Sequence, residues 1–211
     1  MNSKSIYAVV GGFALLALAV GLGWHGFTSG NPNPVLVQQV ADLKPGRALD
    51  IGCGQGDDAR WLASKGWTVT ASDISSVALA RAAERAEGTG DITFVHADYV
   101  AEAPAVAAFD LVTLHYFAIP KANPAAARAI ADAVAPGGTL LVVNHDVGAD
   151  QEWNGIKPSD FFEPHGIAEL LDGSWTVEID ETRPRTTAPP EGAHHTHDTV
   201  LRARRLHRAP A

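Results

Sequence analysis

The sequence predicts an α/β fold: a doubly wound, mostly parallel sheet of seven strands, preceded by one apolar N-terminal helix. Three observations predict it. Strand-like runs alternate with helical ones along the chain. Residues 48–58 read as a strand, a tight glycine-rich turn and the start of a helix. The first three strands also close on carboxylates, Asp50, Asp73 and Asp98, and in an open α/β sheet the carboxyl ends are where a ligand lies.

The turn comes first. Gly52, Gly54 and Gly56 alternate with Cys53 and Gln55, so the backbone can come close to a ligand where a Cβ would collide. A dinucleotide fingerprint needs Gly or Ala at the sixth position of a run that begins at Gly52, but Asp57 stands there and Asp58 follows. Two carboxylates suit a helix N-terminus and would repel a pyrophosphate placed on it. No Gly-Lys-Ser/Thr follows, which excludes a phosphate loop. A ligand with positive charge beside a ribose fits better. The run resembles motif I of the class I S-adenosylmethionine-dependent methyltransferases, an acidic-x-Gly-x-Gly-x-Gly pattern matched by Asp50, Gly52, Gly54 and Gly56. The resemblance implies a Rossmann-like methyltransferase fold with S-adenosyl-L-methionine as cofactor.

The remaining elements follow in order. Residues 59–65 read as helix, stopped by Gly66 at the position after the cap. Residues 67–73 form the second strand, and Asp73, twenty-three residues past Asp50, is placed to hold both ribose hydroxyls. Its other reading is an N-cap for the helix 75–86. Residues 92–98 form the third strand, and the resemblance puts Asp98 and Tyr99 near the adenine amino group. Cofactor contacts are thus expected from Asp50, Gly52, Cys53, Gly54 and Gly56, and from Asp73, Ile74, Asp98, Tyr99 and His115. Residues 109–114 make a fourth strand, followed by His115, Tyr116 and Phe117. A helix over 124–134 starts on Pro124, and 135–138 turn into a fifth strand, 139–144. A short helix ends over 169–173. Residues 175–179 and 199–203 read as a closing antiparallel pair joined by a Pro-rich loop.

The order of these motifs, with Phe161-Phe162-Glu163 before the short helix and Trp175 after it, is similar to the tellurite-resistance and thiopurine-methyltransferase-like families. That resemblance implies methyl transfer to a small soft nucleophile, an oxyanion or a thiol. An anionic nucleophile needs little general-base help, whereas a neutral thiol or hydroxyl needs a base. The catalytic candidates are His115, and His145 with Asp146; packing or substrate orientation is the other role open to each. Tyr116 and Phe117 are read either as pocket walls or as core aromatics.

His194, His195, His197 and Asp198 suggest a metal set, but no Cys or further spaced His completes it, so a pocket rim or solvated loop is favoured and no metal is expected. Cys53 is the only cysteine; no intrachain disulfide can form, and the residue reads as a small filler. A net charge of −8 argues against nucleic acid, which calls for a basic face. Arg202, Arg204, Arg205 and Arg208 read as the solvated end of the last strand, with anionic lipid as the alternative.

Two segments are expected: residues 1–30, and a methyltransferase domain over 31–208, about 180 residues and enough for one core. Residues 6–24 carry no charge, and nineteen residues at about 1.5 Å each reach about 28 Å, long enough to cross a bilayer. Lys4 precedes the run and Lys44 is the next cation, which favours a cytoplasmic N-terminus and an outside domain. The cofactor favours a cytoplasmic domain instead, either anchored or soluble. The same segment stands where related enzymes carry helical residues covering the cofactor. The expected partner is a small-molecule substrate, and the sequence sets no oligomeric state. The rival functions are a noncatalytic, membrane-tethered cofactor sensor and a nicotinamide-dependent reductase.

Overall fold

The computed structural model describes residues 30–146, 157–186 and 196–207. All of its elements belong to the unit Pro32–Ala211. Helix α1 (Pro34–Val40) starts on a proline, and the Asn33 side chain caps it by accepting from Val35 N at 2.8 Å. Strand β1 (Arg47–Ile51) leads into α2 (Asp57–Ser64). Helix α2 ends where expected: Gly66 N donates to Ala63 O and Trp67 N to Leu62 O, the paired bonds of a Schellman cap. Strand β2 (Thr68–Asp73) precedes α3 (Ser76–Arg85), whose N-cap is Ser75, accepting from Ala78 N. The capping role considered for Asp73 therefore belongs to Ser75.

Strands β3 (Ile92–His96) and β4 (Phe109–His115) follow, then α4 (Pro124–Asp132), capped by the Asn123 side chain. Strand β5 runs over Val134–His145. The turn expected at 135–138 is absorbed into it as an irregularity: Phe109 faces Val134, and the regular register resumes with Leu111 opposite Thr139. A single 3₁₀ turn (Pro158–Asp160) and the short α5 (Pro164–Ala168) precede β6 (Trp175–Pro184) and β7 (His197–Arg205). The closing pair is thus longer than the sequence reading allowed.

The seven strands lie in the order β3-β2-β1-β4-β5-β7-β6. Pairs among β1 to β5 are parallel, and β7 runs antiparallel to both β5 and β6. Alternation along each strand sends side chains to two cores. Leu49, Ile51, Val112, Leu114, Leu140 and Val142 pack with α4 and α5. Ala48, Val69, Ala71, Leu111, Leu141, Val143 and Val200 pack with α1 and α2. Burying each large aliphatic side chain is worth about 1.5–3 kcal/mol.

The same alternation positions the site. Asp50, Asp73, Thr113, His115, His145 and Asp198 fall in the period-two series that builds the α1/α2 core, so they continue that face beyond its last apolar residues toward the carboxyl ends of the parallel strands. Two of the arginines read as a solvated tail, Arg202 and Arg205, are instead structural, while Arg204 is exposed. Arg202 reaches Gln39 O, both Asp42 oxygens and Glu178, and Arg205 donates to Asp132 O and Val134 O. Arg208 lies outside the described residues, as does the candidate span 6–24. Among the described residues no helix is long and apolar enough to cross a membrane.

Candidate cofactor and acceptor site

The glycine turn is built by backbone hydrogen bonds onto β2. Gly52 N and Cys53 N both donate to Ser72 O, at 2.8 and 2.9 Å, and Gly56 N donates back to Cys53 O. Gly52 has φ +75°, a left-handed conformation costly for other residues. A Cβ there would lie 2.9 Å from the Phe117 ring. At Gly54, with φ +53°, a Cβ would meet nothing within 4 Å. The turn is closed against the protein at one glycine and open at the other. Arg85 fastens it from α3, donating to Gln55 O, Gln55 Oε1 and, at 2.6 Å, Asp57 Oδ1.

That contact revises the charge argument drawn from sequence. Asp57 is held by Arg85 and Arg60 and presents little free charge. The acidity that counts is Asp50's. Its side chain sits 2% exposed, and its Oδ2 has no hydrogen-bond partner among the described residues. Burial first, then the charges of Asp58 and Asp73, pushes its carboxyl up to about 7, while His115 pulls the other way. An orphaned buried carboxylate costs stability until a donor or a positive charge meets it.

Asp73 uses both oxygens locally: Oδ2 accepts from Gly54 N at 2.9 Å and Oδ1 from Ser75 N at 2.8 Å. Each oxygen keeps a second lone pair for another donor. Ile74 is exposed, and its carbonyl meets His96 Nε2 at 2.8 Å. Asp98 lies two residues past the end of β3 rather than inside it; its Oδ1 accepts from Val100 N and its own N–H donates to Glu102. Tyr99 is half-buried against the α4 core. Burial, then the charges of Asp50 and Asp73, holds the half-buried Cys53 thiol well above its usual range, so it is not a ready thiolate.

His115 is enclosed by the protein. Its side chain is only 6% exposed, with Nδ1 2.6 Å from Asp58 Oδ2 and Nε2 3.0 Å from Thr113 Oγ1. Both ring nitrogens are occupied inside the protein. Burial pulls its pKa down, but the Asp58 charge and hydrogen bond, with Asp50 and Asp198, outweigh it and the pKa is raised. Asp58 Oδ1 also accepts from Asn33 N at 2.6 Å. His115 therefore ties β4 to α2 and, through Asp58, to α1.

His145 is better placed for chemistry. It lies at the end of β5, about a third exposed, with its ring stacked on Tyr116 at 3.9 Å. Asp146, expected to be its acid, is exposed, and its N–H donates to His197 O. The buried acid at His145 is Asp198, opposite it in the β5–β7 register, with Oδ1 3.3 Å from Nδ1. Arg185 Nη1 also reaches Nδ1, at 3.1 Å; Nδ1 donates to Asp198 or accepts from Arg185 according to tautomer. Neither contact could be read from the sequence, because both depend on β7 pairing between β5 and β6. Tyr116 and Phe117 divide the two roles foreseen for them. Phe117 packs on the core and on Gly52, while Tyr116 is 38% exposed at φ +56°, and such strained residues gather at functional sites.

Of the histidine-rich segment, His194 and His195 lie outside the described residues, and His197 contacts its neighbour Thr196. No group of three or more potential metal ligands occurs among the described residues.

Residues 48–138 match the family model described as a methyltransferase domain. An uncharacterized methyltransferase of Mycobacterium tuberculosis is 32% identical over 169 residues, covering 78% of this chain and 81% of that one. Among solved structures, the Burkholderia thailandensis 1,6-didemethyltoxoflavin-N1-methyltransferase, with bound 1,6-didemethyltoxoflavin and S-adenosylhomocysteine, superposes with a TM-score of 0.66 at 23% identity, over 98% of this chain and 91% of that one. TehB from Haemophilus influenzae gives 0.64 at 18% identity, over 81% and 61%. At those identities the structures show a shared fold. The unpartnered Asp50 Oδ2 and the open face of Gly54 fit a cofactor that carries positive charge and presses against backbone. By its fold and its relatives, the chain belongs to the class I S-adenosylmethionine-dependent methyltransferases, enzymes that move a methyl group from that cofactor to an acceptor.

Proposed function

We propose that this methyltransferase acts on a small-molecule nucleophile, a soft oxyanion or a thiol, at the carboxyl ends of β1, β4 and β5. The observation that carries the cofactor half of this reading is the buried, unpartnered Asp50 carboxylate. S-adenosylmethionine, when bound, supplies an electrophilic methyl on a cationic sulfur. The chain supplies the rest. Asp50 ionises opposite that positive charge, and the Gly52–Gly56 turn admits the cofactor along its open side at Gly54. Asp73, fixed by Gly54 N and Ser75 N, accepts from the ribose hydroxyls, with Ile74 beside it and Asp98 and Tyr99 at the base. His115 holds Asp58 and the floor of the site rather than moving a proton.

On the acceptor side, His145 is the group able to take a proton from a neutral thiol, with Asp198 fixing its ring. An oxyanion already carries its charge and needs only positioning. The order of motifs that resembles the tellurite-resistance and thiopurine families supports the soft-nucleophile class. Residues 31–208 form the catalytic domain in this reading, and 6–24 tether it to a membrane with the domain on the cytoplasmic side, where the cofactor is made.

The test is methyl transfer from methyl-labelled cofactor by the full chain to selenite, tellurite and small thiols. Labelled methyl product above the protein-free rate with at least one of these is expected. Binding of S-adenosylhomocysteine without turnover of any of them contradicts the acceptor class. Fractionation of cells expressing chains with and without residues 1–30 tests the tether: the full chain should sediment with membranes and the shortened one should not.

A further inference from the structure

We infer that Arg185, with Arg183 beside it on the same strand face, binds an anionic group of the methyl acceptor, an inorganic oxyanion or a carboxylate, next to His145. This deepens the proposed function and rests on its reading that the acceptor lies at the carboxyl ends of the strands.

A guanidinium carries five N–H donors. Three arginines of this fold spend several of them on the chain itself: Arg85 on Gln55 and Asp57, Arg202 on Gln39 and Asp42 with Glu178 beside it, Arg205 on two backbone carbonyls, although the Nε of Arg202, like that of Arg60, also makes no hydrogen bond among the described residues. The Arg185 guanidinium makes one hydrogen bond among the described residues, from Nη1 to His145 Nδ1, and its Nε stands 3.9 Å from Asp198 Oδ2, beyond hydrogen-bond reach. That Nε is buried and unpartnered among the described residues. The side chain is only 15% exposed, so it has given up most of its water without replacing it.

Arg183 shows the same deficit. Its Nη1 reaches Gln38 Oε1 at 3.0 Å, while its Nε and Nη2 are buried without a hydrogen bond among the described residues. Arg183 lies opposite Asp198 in the β6–β7 register, and Arg185 continues that pairing by donating from its N–H to Thr196 O. Two residues apart, the arginines share one strand face. Among the described residues the buried acid at this place is Asp198, opposite Arg183 in the register and 3.9 Å from Arg185 Nε, and it also serves His145. Glu181 stands 3.8 Å from Arg183 but is half exposed. One buried carboxylate facing two guanidiniums leaves both donors and positive charge unmatched, and planar forks of this kind suit carboxylates and oxyanions. The Tyr116 ring, 6.0 Å from the Arg185 guanidinium and stacked on His145, places this pair beside the proposed base.

The test is calorimetric titration of the full chain, saturated with S-adenosylhomocysteine, with selenite, para-mercaptobenzoate and para-mercaptobenzamide. The last two differ in charge and share the thiol. The wild type should bind at least one anion, and the benzoate, if bound, about tenfold more tightly than the benzamide. Arg185→Gln should weaken the bound anion about tenfold and Arg183→Gln less, with Arg185→Lys restoring part of the loss. S-adenosylhomocysteine affinity should stay within about twofold in all three. Selenite alone bound identifies an inorganic oxyanion; benzoate alone, an organic acid. The inference is overturned if neither anion binds, if benzoate binds no better than benzamide in the absence of selenite binding, or if Arg185→Gln binds the anion like the wild type. Should that variant fail to fold, the wild-type comparison decides. Failure of S-adenosylhomocysteine itself to bind would count against the cofactor reading instead.

Discussion

The two sides of the site are built in opposite ways. On the side of β1, β2 and β3 the proposed working groups are acids: Asp50 buried with its Oδ2 unpartnered among the described residues, Asp73 fixed by two backbone N–H groups, Asp98 just past its strand. On the side of β5, β7 and β6 they are a histidine, one buried acid and two under-used arginines. The acidic side suits a ligand bearing positive charge, and the basic side suits one bearing negative charge. Charges of opposite sign on the two sides of a site orient two reactants before any chemistry begins.

The contrast can be broken at several places. The largest effect is expected on the acceptor side: His145→Gln should lower kcat for a neutral thiol by about 100-fold or more, and change turnover of selenite far less. Equal losses with both acceptors would remove the base from the account. Next comes the seam between the two sides. His115→Gln leaves Asp58 without its buried partner and should cost about 3 kcal/mol in urea unfolding. The sign with pH follows from the raised pKa of His115. Its stabilising share is fully present below the ordinary imidazole value of about 6.5 and is lost as pH rises through the raised folded value. The wild type should lose stability in that range, and the variant should show a flatter curve.

Smaller effects separate the two glycines of the turn. Gly52→Ala sets a Cβ against Phe117 in a left-handed backbone and should cost about 2 kcal/mol of stability. Gly54→Ala has open space and should cost only about 1 kcal/mol, yet weaken cofactor binding by at least about tenfold. Thermal melts with and without S-adenosylhomocysteine read both. If Gly54→Ala binds the cofactor normally, the open side of the turn is not the cofactor's side.

The grouping of the residues proposed to hold the cofactor was legible in sequence because its parts are local. Asp50 and the three glycines fall within seven residues, and Asp73 follows one helix later, so strand, turn and helix propensities carry them to one place. The parallel order and the antiparallel closing pair were legible for the same reason. The acceptor side was not. Asp198 meets His145 only because β7 inserts between β5 and β6, a register no local pattern encodes, so the neighbouring Asp146 looked like the natural partner. An isolated acid entering an apolar strand, and the Arg-Pro-Arg run at 183–185, were the available signals. His115 misled in another way: its place at the end of a strand was right, but burial against Asp58 and Thr113 closes both ring nitrogens.

The central claim is that Asp50 waits, buried and uncompensated, for a cationic sulfur ligand. Calorimetric titration of S-adenosylmethionine into the wild type and Asp50→Asn at pH 6 and pH 8, each in two buffers of different ionisation enthalpy, tests it most directly. With its carboxyl pushed up to about 7, Asp50 is largely protonated at the lower pH and must ionise on binding. Wild-type affinity should therefore rise from pH 6 to pH 8, by up to about tenfold, with proton release at pH 6. Asp50→Asn should bind about 100-fold more weakly at pH 8 with little pH dependence, while its unliganded form melts at a higher temperature than the wild type at that pH. Equal affinity of the two proteins at pH 8, with no proton released by the wild type at pH 6, would contradict the account.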